Sequence, residues 1–191
     1  GIDFLPTILD AAGLPPSSMA DGKSFLPLLR GEKQENRLRV FTQFHETSAG
    51  RRFPMRCVQD ARYGYIFNPW SDGKCKFQNE SQSGLTFKAM QAASGSNPGI
   101  AARVSFFQYR TVEELYDFQN DPDSLDNLLH KPEYAAIADG LRTHLEEWMK
   151  SMNDPALEAF RNRHSPAALE KFMAEEQTRI TKKKKKNPPG A

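Results

Sequence analysis

His45 and Glu46 are the residues best suited to touch a ligand. They follow the run Val40, Phe41, Thr42 and Phe44, whose side chains favour an extended chain, and precede the polar loop from Thr47 to Arg52. The end of a strand opening onto a loop is where a rigid scaffold presents polar groups. An imidazole can donate to a sulfate or carboxylate oxygen, and a carboxylate accepts from hydroxyl or amine, so the pair suits a polar, anionic sugar. The same two residues also read as a strand-end histidine and a solvated glutamate. Arg51, Arg52 and Arg56 are close in sequence, and the guanidinium fork matches sulfate, phosphate or carboxylate. Arg56 stands inside the otherwise apolar strand Met55 to Val58. If buried, it must meet either an anionic ligand or an acidic side chain. His45, Glu46 and Arg56 are the candidate substrate-binding residues.

Other reactive types are less suggestive. His130, His144 and His164 lack acidic neighbours at metal-ligand spacing. Asp117, Asp121, Asp123 and Asp126 look superficially like a calcium loop, but the glycine and terminal glutamate of an EF-hand are missing. They read as turn residues. Cys57 and Cys75 are the only cysteines; without paired CxxC spacing they are not a zinc site, and they read as thiols rather than a disulfide. Asn79-Glu80-Ser81 is a formal glycosylation acceptor. With no glycine-rich phosphate loop, nucleophile elbow or zinc motif, neither catalytic nor metal-binding residues are assigned.

The elements that must hold the candidate residues are legible. Phe4, Leu5, Ile8, Leu9 and Ala12 recur at helical spacing after Asp3, a plausible N-cap, and Gly13 can close the helix. A short helix from Phe25 to Leu29 and a charged segment, Glu32 to Arg37, follow. Met55 to Val58 and Tyr63 to Phe67 read as a hairpin turning at Asp60-Ala61-Arg62, and Val112 to Phe118 as a further strand. Asn68 to Arg110 is the least regular stretch, with a short helix at Leu85 to Ala93 and a loop at Ser94 to Gly99. Tyr134, Ile137, Leu141, Leu145, Trp148 and Met149 mark a long amphipathic helix. Two polar helical pieces, 156–163 and 166–180, are expected to pack loosely. The fold class is therefore α+β: a small antiparallel sheet of about four strands, packed on one face by the helix from Pro132 to Lys150.

Composition limits the partners. The chain has 191 residues and a formal charge of +2, which falls to −3 once Lys182–Lys186 are set aside. The mildly acidic body argues against a nucleic-acid surface, and no apolar run approaches the ~20 residues of a membrane span. Gly1-Ile2-Asp3 opens already at a helix start and suggests a fragment, so a secretory signal would be expected upstream of it.

Four runs in order resemble the sulfatase family. Asp3-Phe4-Leu5-Pro6-Thr7-Ile8-Leu9-Asp10-Ala11-Ala12-Gly13 is similar to the family's "D..PT.LD.AG" helix, and Asp21-Gly22-Lys23-Ser24-Phe25-Leu26-Pro27-Leu28-Leu29-Arg30-Gly31 to its "DG.SL.PLL.G" run. Glu114-Leu115-Tyr116-Asp117 with Asp121-Pro122 and Asn127-Leu128 resembles "ELYDL…DP.E..NL". Pro132-Glu133-Tyr134 with Leu141, Leu145 and Trp148 resembles the closing helix. Within the family, Phe44-His45-Glu46-Thr47, Phe53-Pro54-Met55-Arg56-Cys57-Val58-Gln59 and Tyr109-Arg110 look most like the N-sulfoglucosamine sulfohydrolase group, which acts in heparan sulfate degradation.

The resemblance implies a division of the chain: 1–31 as the last elements of an N-terminal catalytic domain, 32–154 as the C-terminal subdomain, 155–181 as a polar helical extension and 182–191 as a disordered lysine-rich tail. It implies that His45 and Glu46 line a pocket for the glucosamine ring. It also implies a formylglycine made in a C/S-x-P-x-R motif and a Ca²⁺ held by Asp and Asn, both in the parent enzyme and neither in this chain. The expected partners are that catalytic domain, a sulfated sugar and a second copy of the chain in a homodimer. The expected setting is periplasmic, secreted or lysosomal. The alternatives are an O-sulfatase of another carbohydrate group and a non-catalytic glycan-binding or assembly module.

Overall fold

The structure, a computed structural model, describes residues 1–34, 37–47 and 50–186. Glu35 and Asn36 of the charged segment, Ser48 and Ala49 of the polar loop, and 187–191 of the expected tail lie outside the described residues. The chain divides into two compact units, Gly1–Arg39 and Val40–Ala191.

In the first unit, α1 (Phe4–Ala11) is followed by the single turn α2 (Leu26–Leu29). Asp3 sits at the N-cap position without capping. Its carboxylate instead accepts from the Lys23 amide at 2.8 Å and from Arg37 Nη1 at 2.9 Å, and the Arg37 bond is the main reason its pKa is lowered. The second segment is thereby fastened to the start of α1. Gly22 allows the close approach, since a Cβ there would lie 2.2 Å from the Ile2 carbonyl oxygen. Gly13 takes the positive φ expected of a helix stop, at 68°. The apolar stripe is largely uncovered, with Phe4, Leu5 and Ile8 between 53% and 64% exposed.

The second unit is built on a four-stranded antiparallel sheet in the order β1-β2-β3-β4. The strands are β1 (Val40–Glu46), β2 (Arg52–Gln59), β3 (Tyr63–Phe67) and β4 (Glu113–Asp117). The β2–β3 hairpin turns where expected, because the Asp60 carboxylate accepts from the Arg62 and Tyr63 amides at 2.8 and 2.7 Å. Register puts Val58 opposite Tyr65, and Tyr65 opposite Leu115. These residues, with Phe67, share one face and are fully buried.

Helix α5 (Ala135–Ser151) covers that face with Ala138, Leu141, Leu145 and Met149, and Trp148 stacks on Phe41 at 5.2 Å. On the opposite face Gly64 lies beneath the Phe118 ring, where a Cβ would come within 2.4 Å of it.

Between β3 and β4 the chain makes a long excursion through α3 (Leu85–Ala93) and α4 (Pro98–Gln108). The second helix falls in the stretch expected to be irregular. Asn97 caps it, accepting from the Ile100 amide at 3.1 Å, and Pro98 occupies the first turn. Phe53, Trp70, Phe77, Phe107 and Phe87 form a chain of ring contacts at 5.0–6.3 Å that ties this excursion to β2.

The polar helical pieces do not pack loosely. In α6 (Leu157–Arg161) and α7 (Pro166–Lys186), Ala159, Phe160, Leu169 and Phe172 join the main core. Phe160 meets Phe67 and Tyr65 edge-on at 5.2 and 6.3 Å. Few apolar residues are needed when one of them is a phenylalanine, whose burial is worth about 1.5–3 kcal/mol. The α7 helix also runs on through Lys182–Lys186, which were expected to be disordered.

Buried ions connect the layers. The Arg56 guanidinium pairs with Asp154 in the turn after α5, with Nη2–Oδ1 at 2.9 Å, and the side chains are 2% and 3% exposed. Glu114 accepts from Arg110, the Tyr116 hydroxyl at 2.9 Å and Asn68 at 3.0 Å. Glu113 accepts from Tyr65 at 2.6 Å, Arg142 at 2.8 Å and Arg163 at 3.1 Å. Asp117 accepts from Arg62 and from the Gln119 and Asn120 amides.

Two stability measurements check this account. Arg56→Met alone is expected to cost about 3–5 kcal/mol, because it strands a buried carboxylate. Adding Asp154→Asn, which keeps an acceptor for the Ala156 amide, should recover more than half of that loss in urea unfolding. In acid, the Arg62 bond holds the folded Asp117 carboxyl down to about 2. Its ordinary value is about 3.9, so its contribution is full above ~4 and is lost as pH falls towards ~2. The fall in melting temperature over that window should be smaller in Asp117→Asn.

Candidate functional site

His45 and Glu46 lie at the end of β1, where the strand pairing slips. Phe44 pairs with Met55, but Glu46 pairs with Arg52, so Phe53 and Pro54 together face His45 alone. Proline has no amide hydrogen to give the ladder and is accommodated at such a bulge. The hairpin loop beyond is closed by the Thr47 amide on the Arg51 carbonyl and the Gly50 amide on the Thr47 carbonyl, both at 2.9 Å, with Gly50 at a φ of 73°.

Arg52 organises the carboxylates here. Its Nη1 reaches Glu46 at 3.3 Å and its Nη2 bonds Glu176 of α7. Glu176 is 2% exposed and also accepts from Arg179 at 2.6 Å. Arg51, by contrast, bonds Gln78. Thus Glu46 is half-exposed on a fixed partner, and α7 forms one wall of the site.

His45 is partly buried. Burial first, and then the charges of Arg56 and Arg52, lower its pKa, with Glu176 and Asp154 pulling the other way. The imidazole is therefore neutral at pH 7, able to donate from one nitrogen and accept at the other.

His45 and Glu46 are the last two residues of β1, the first partly buried and the second exposed. For Arg56 the structure realises the internal ion pair of the two alternatives: the guanidinium is 1% exposed and its Nη1 also bonds the Met55 carbonyl at 2.9 Å. Arg56 acts from below the site. Sequence reasoning missed Asp154 altogether, and Glu176 was placed in a polar extension. The available signal was Arg56 itself, since an arginine in an apolar strand calls for an acid elsewhere in the chain.

The residues present do not fit the aldehyde and cation that the resemblance implies. Neither Cys57-Val58-Gln59-Asp60 nor Cys75-Lys76-Phe77-Gln78 has the C/S-x-P-x-R pattern, both cysteines are free thiols, and burial pushes both thiols up. Among the described residues no three His, Cys, Asp or Glu side chains are grouped to hold a metal ion. Asp117 and Asp121 serve the turn, the latter accepting from the Leu125 and Asp126 amides at 2.7 and 2.8 Å. The arrangement offers polar groups rather than a reactive centre: a partly buried imidazole and an exposed carboxylate, the latter bonded to an arginine.

No protein-family profile matches the chain. It is 30% identical over 154 residues to an ulvan-active sulfatase of Formosa agariphila, a match covering 80% of this chain and 29% of that protein. Human N-sulphoglucosamine sulphohydrolase is 27% identical over 165 residues, 81% of this chain and 32% of the relative. Among solved structures, BT1596, a 2-O GAG sulfatase, aligns with a TM-score of 0.53 at 25% identity, covering 84% of this chain and 26% of that one. The chain thus spans less than a third of the length of these relatives. It is a homologue of the sulfatases over about 80% of its length, and its sheet and helices match the C-terminal subdomain of those enzymes.

Proposed function

We propose that this chain forms the substrate-facing rim of a sulfatase that releases sulfate from a sulfated sugar, with N-sulfoglucosamine as the substrate. The observation that carries the proposal is the position of His45 and Glu46 at the β1–β2 bulge, where Arg52 bonds both Glu46 and the buried Glu176. A neutral imidazole can donate to a sulfamate oxygen, and Glu46 can accept from a ring hydroxyl. The similarity to human N-sulphoglucosamine sulphohydrolase supports this sugar. The somewhat higher identity to an ulvan-active sulfatase favours a second reading, hydrolysis of an O-sulfate ester on another acidic sugar.

In either case this chain binds and orients. The formylglycine and Ca²⁺ belong, in this proposal, to the part of the enzyme that the relatives carry and this chain does not span. A periplasmic, secreted or lysosomal setting accompanies it. No helix among the described residues is long and apolar enough to cross a membrane.

Two assays test the proposal. The 191-residue chain alone should turn over neither N-sulfoglucosamine nor a chromogenic sulfate ester; turnover by the pure chain would overturn the division of labour. In the longer protein, His45→Ala should lower kcat/KM on the preferred sugar at least about tenfold, the equivalent of one lost hydrogen bond of about 1.4 kcal/mol in the transition state. An unchanged kcat/KM would remove His45 from the site, and a preference for 2-O-sulfated uronate over N-sulfoglucosamine would select the second reading.

A further inference from the structure

Arg51 and Arg52 are neighbours in sequence and stand in opposite surroundings. Arg52 lies between two carboxylates, whereas Nη1 of Arg51 bonds the side-chain oxygen of Gln78, a neutral acceptor that fixes the guanidinium without cancelling its charge. Gln78 is itself firmly seated. The Phe77 amide donates to the Gln108 carbonyl and the Gln82 side chain to the Phe77 carbonyl, both at 2.8 Å, while the Phe77 ring stacks on Trp70 at 5.5 Å. Lys76, on the other side of Phe77, is exposed, as is Arg51. Arg51 lies within electrostatic reach of this segment: burial and the Asp72 charge raise the Cys75 thiol, and the Arg51 charge works against them. Asp72 feels the Lys74 charge, and its Oδ1 accepts from the Lys74 and Cys75 amides. Among the described residues neither Arg51 nor Lys76 is bonded to a carboxylate.

We propose that Arg51 and Lys76 form an anion subsite, taking the sulfate or carboxylate of the sugar next to the one held at His45 and Glu46. This rests on the reading of the chain as part of a carbohydrate sulfatase. The two places adjoin, because the Arg51 carbonyl accepts from the Thr47 amide at 2.9 Å and the next residue, Arg52, pairs with Glu46. They differ in sign. The Glu46 carboxylate accepts from a hydroxyl and repels an acidic group, while the Arg51 fork matches two oxygens of a sulfate or carboxylate and Lys76 adds a point charge. An acidic polysaccharide carries such groups on successive residues, so the two places together read two sugars rather than one. The second sugar adds affinity and register without entering the chemistry.

Binding and turnover test the subsite separately. Affinity of the 191-residue chain for a fluorescent heparin tetrasaccharide is measured by anisotropy at low and high salt. Arg51→Gln with Lys76→Gln should weaken binding at least about tenfold at low salt, the scale of one charge-assisted hydrogen bond, and flatten its fall as salt rises. Lys33→Gln with Lys150→Gln removes the same charge from exposed positions elsewhere. That variant should change the affinity by less than about twofold. Arg51→Lys, which keeps the charge and loses the fork, should fall between wild type and the first variant, as a misfolded protein would not. Absence of binding by the wild-type chain, or equal losses in the two double variants, overturns the subsite. In the longer protein, Arg51→Gln should lower kcat/KM on a tetrasaccharide at least about tenfold more than on monosaccharide N-sulfoglucosamine. Equal losses on the two would put Arg51 at the reacting sugar and overturn its assignment to the neighbour. The monosaccharide has no neighbour, so its hydrolysis, and the loss of that hydrolysis in His45→Ala, judge the reading of the main site independently of Arg51.

Discussion

The buried pair between Arg56 and Asp154 is the contact on which the second unit turns. A guanidinium inside the sheet cannot be left without a counter-charge, because desolvating it alone costs several kcal/mol. Meeting that demand fixes where the chain must go after α5. The turn at Asp154 is drawn down to β2, and Ala156, itself bonded to the Asp154 carboxylate, is carried into the core behind it. Phe160 then reaches Phe67 and Tyr65, and α7 is aimed so that Glu176 meets Arg52. One charge in a strand thus determines the path of two helices.

That path explains which parts of the molecule were readable in the residues. Tyr63–Phe67 and Leu85–Ala93 appear with the expected bounds, since both are set by the residue types of the segment itself. The amphipathic stripe of α5 is equally clear, and Ala138, Leu141, Leu145 and Met149 face the sheet. The α4 helix was hidden because its apolar residues do not gather on one face, with only Val104 and Gln108 buried. Its start was nonetheless written in Asn97-Pro98, a cap followed by proline. The packing of α6 and α7 was hidden for a different reason. Their composition is polar, and what seats them is a few apolar residues, Phe160 and Phe172 among them, together with two carboxylates, Asp154 and Glu176, that answer to arginines far away in sequence.

The site shows the same contrast. His45 and Glu46 could be picked out from their position after an apolar strand, but the slip in pairing at Phe53-Pro54 that sets them apart from the regular ladder depends on register across two strands. Arg52 and Arg56 look alike in sequence and do different work. The first bridges Glu46 to Glu176 near the surface, while the second is sealed below. Only the fold separates a cation that arranges a binding surface from one that holds the scaffold together.

The long excursion between Phe67 and Glu113 has a kinetic meaning. β1, β2 and β3 are joined by short turns and can zip together locally, whereas β4 must be recruited across an intervening helical hairpin. Closing a longer loop adds only about 0.6 kcal/mol per doubling, yet contacts of high sequence separation slow the approach to the native state. The strand carrying Glu113, Leu115 and Asp117 is therefore expected to dock last. Until it does, Tyr65 and Phe67 present an unfinished edge, the moment at which a nascent chain of this kind is most open to capture by a chaperone or by its own kind.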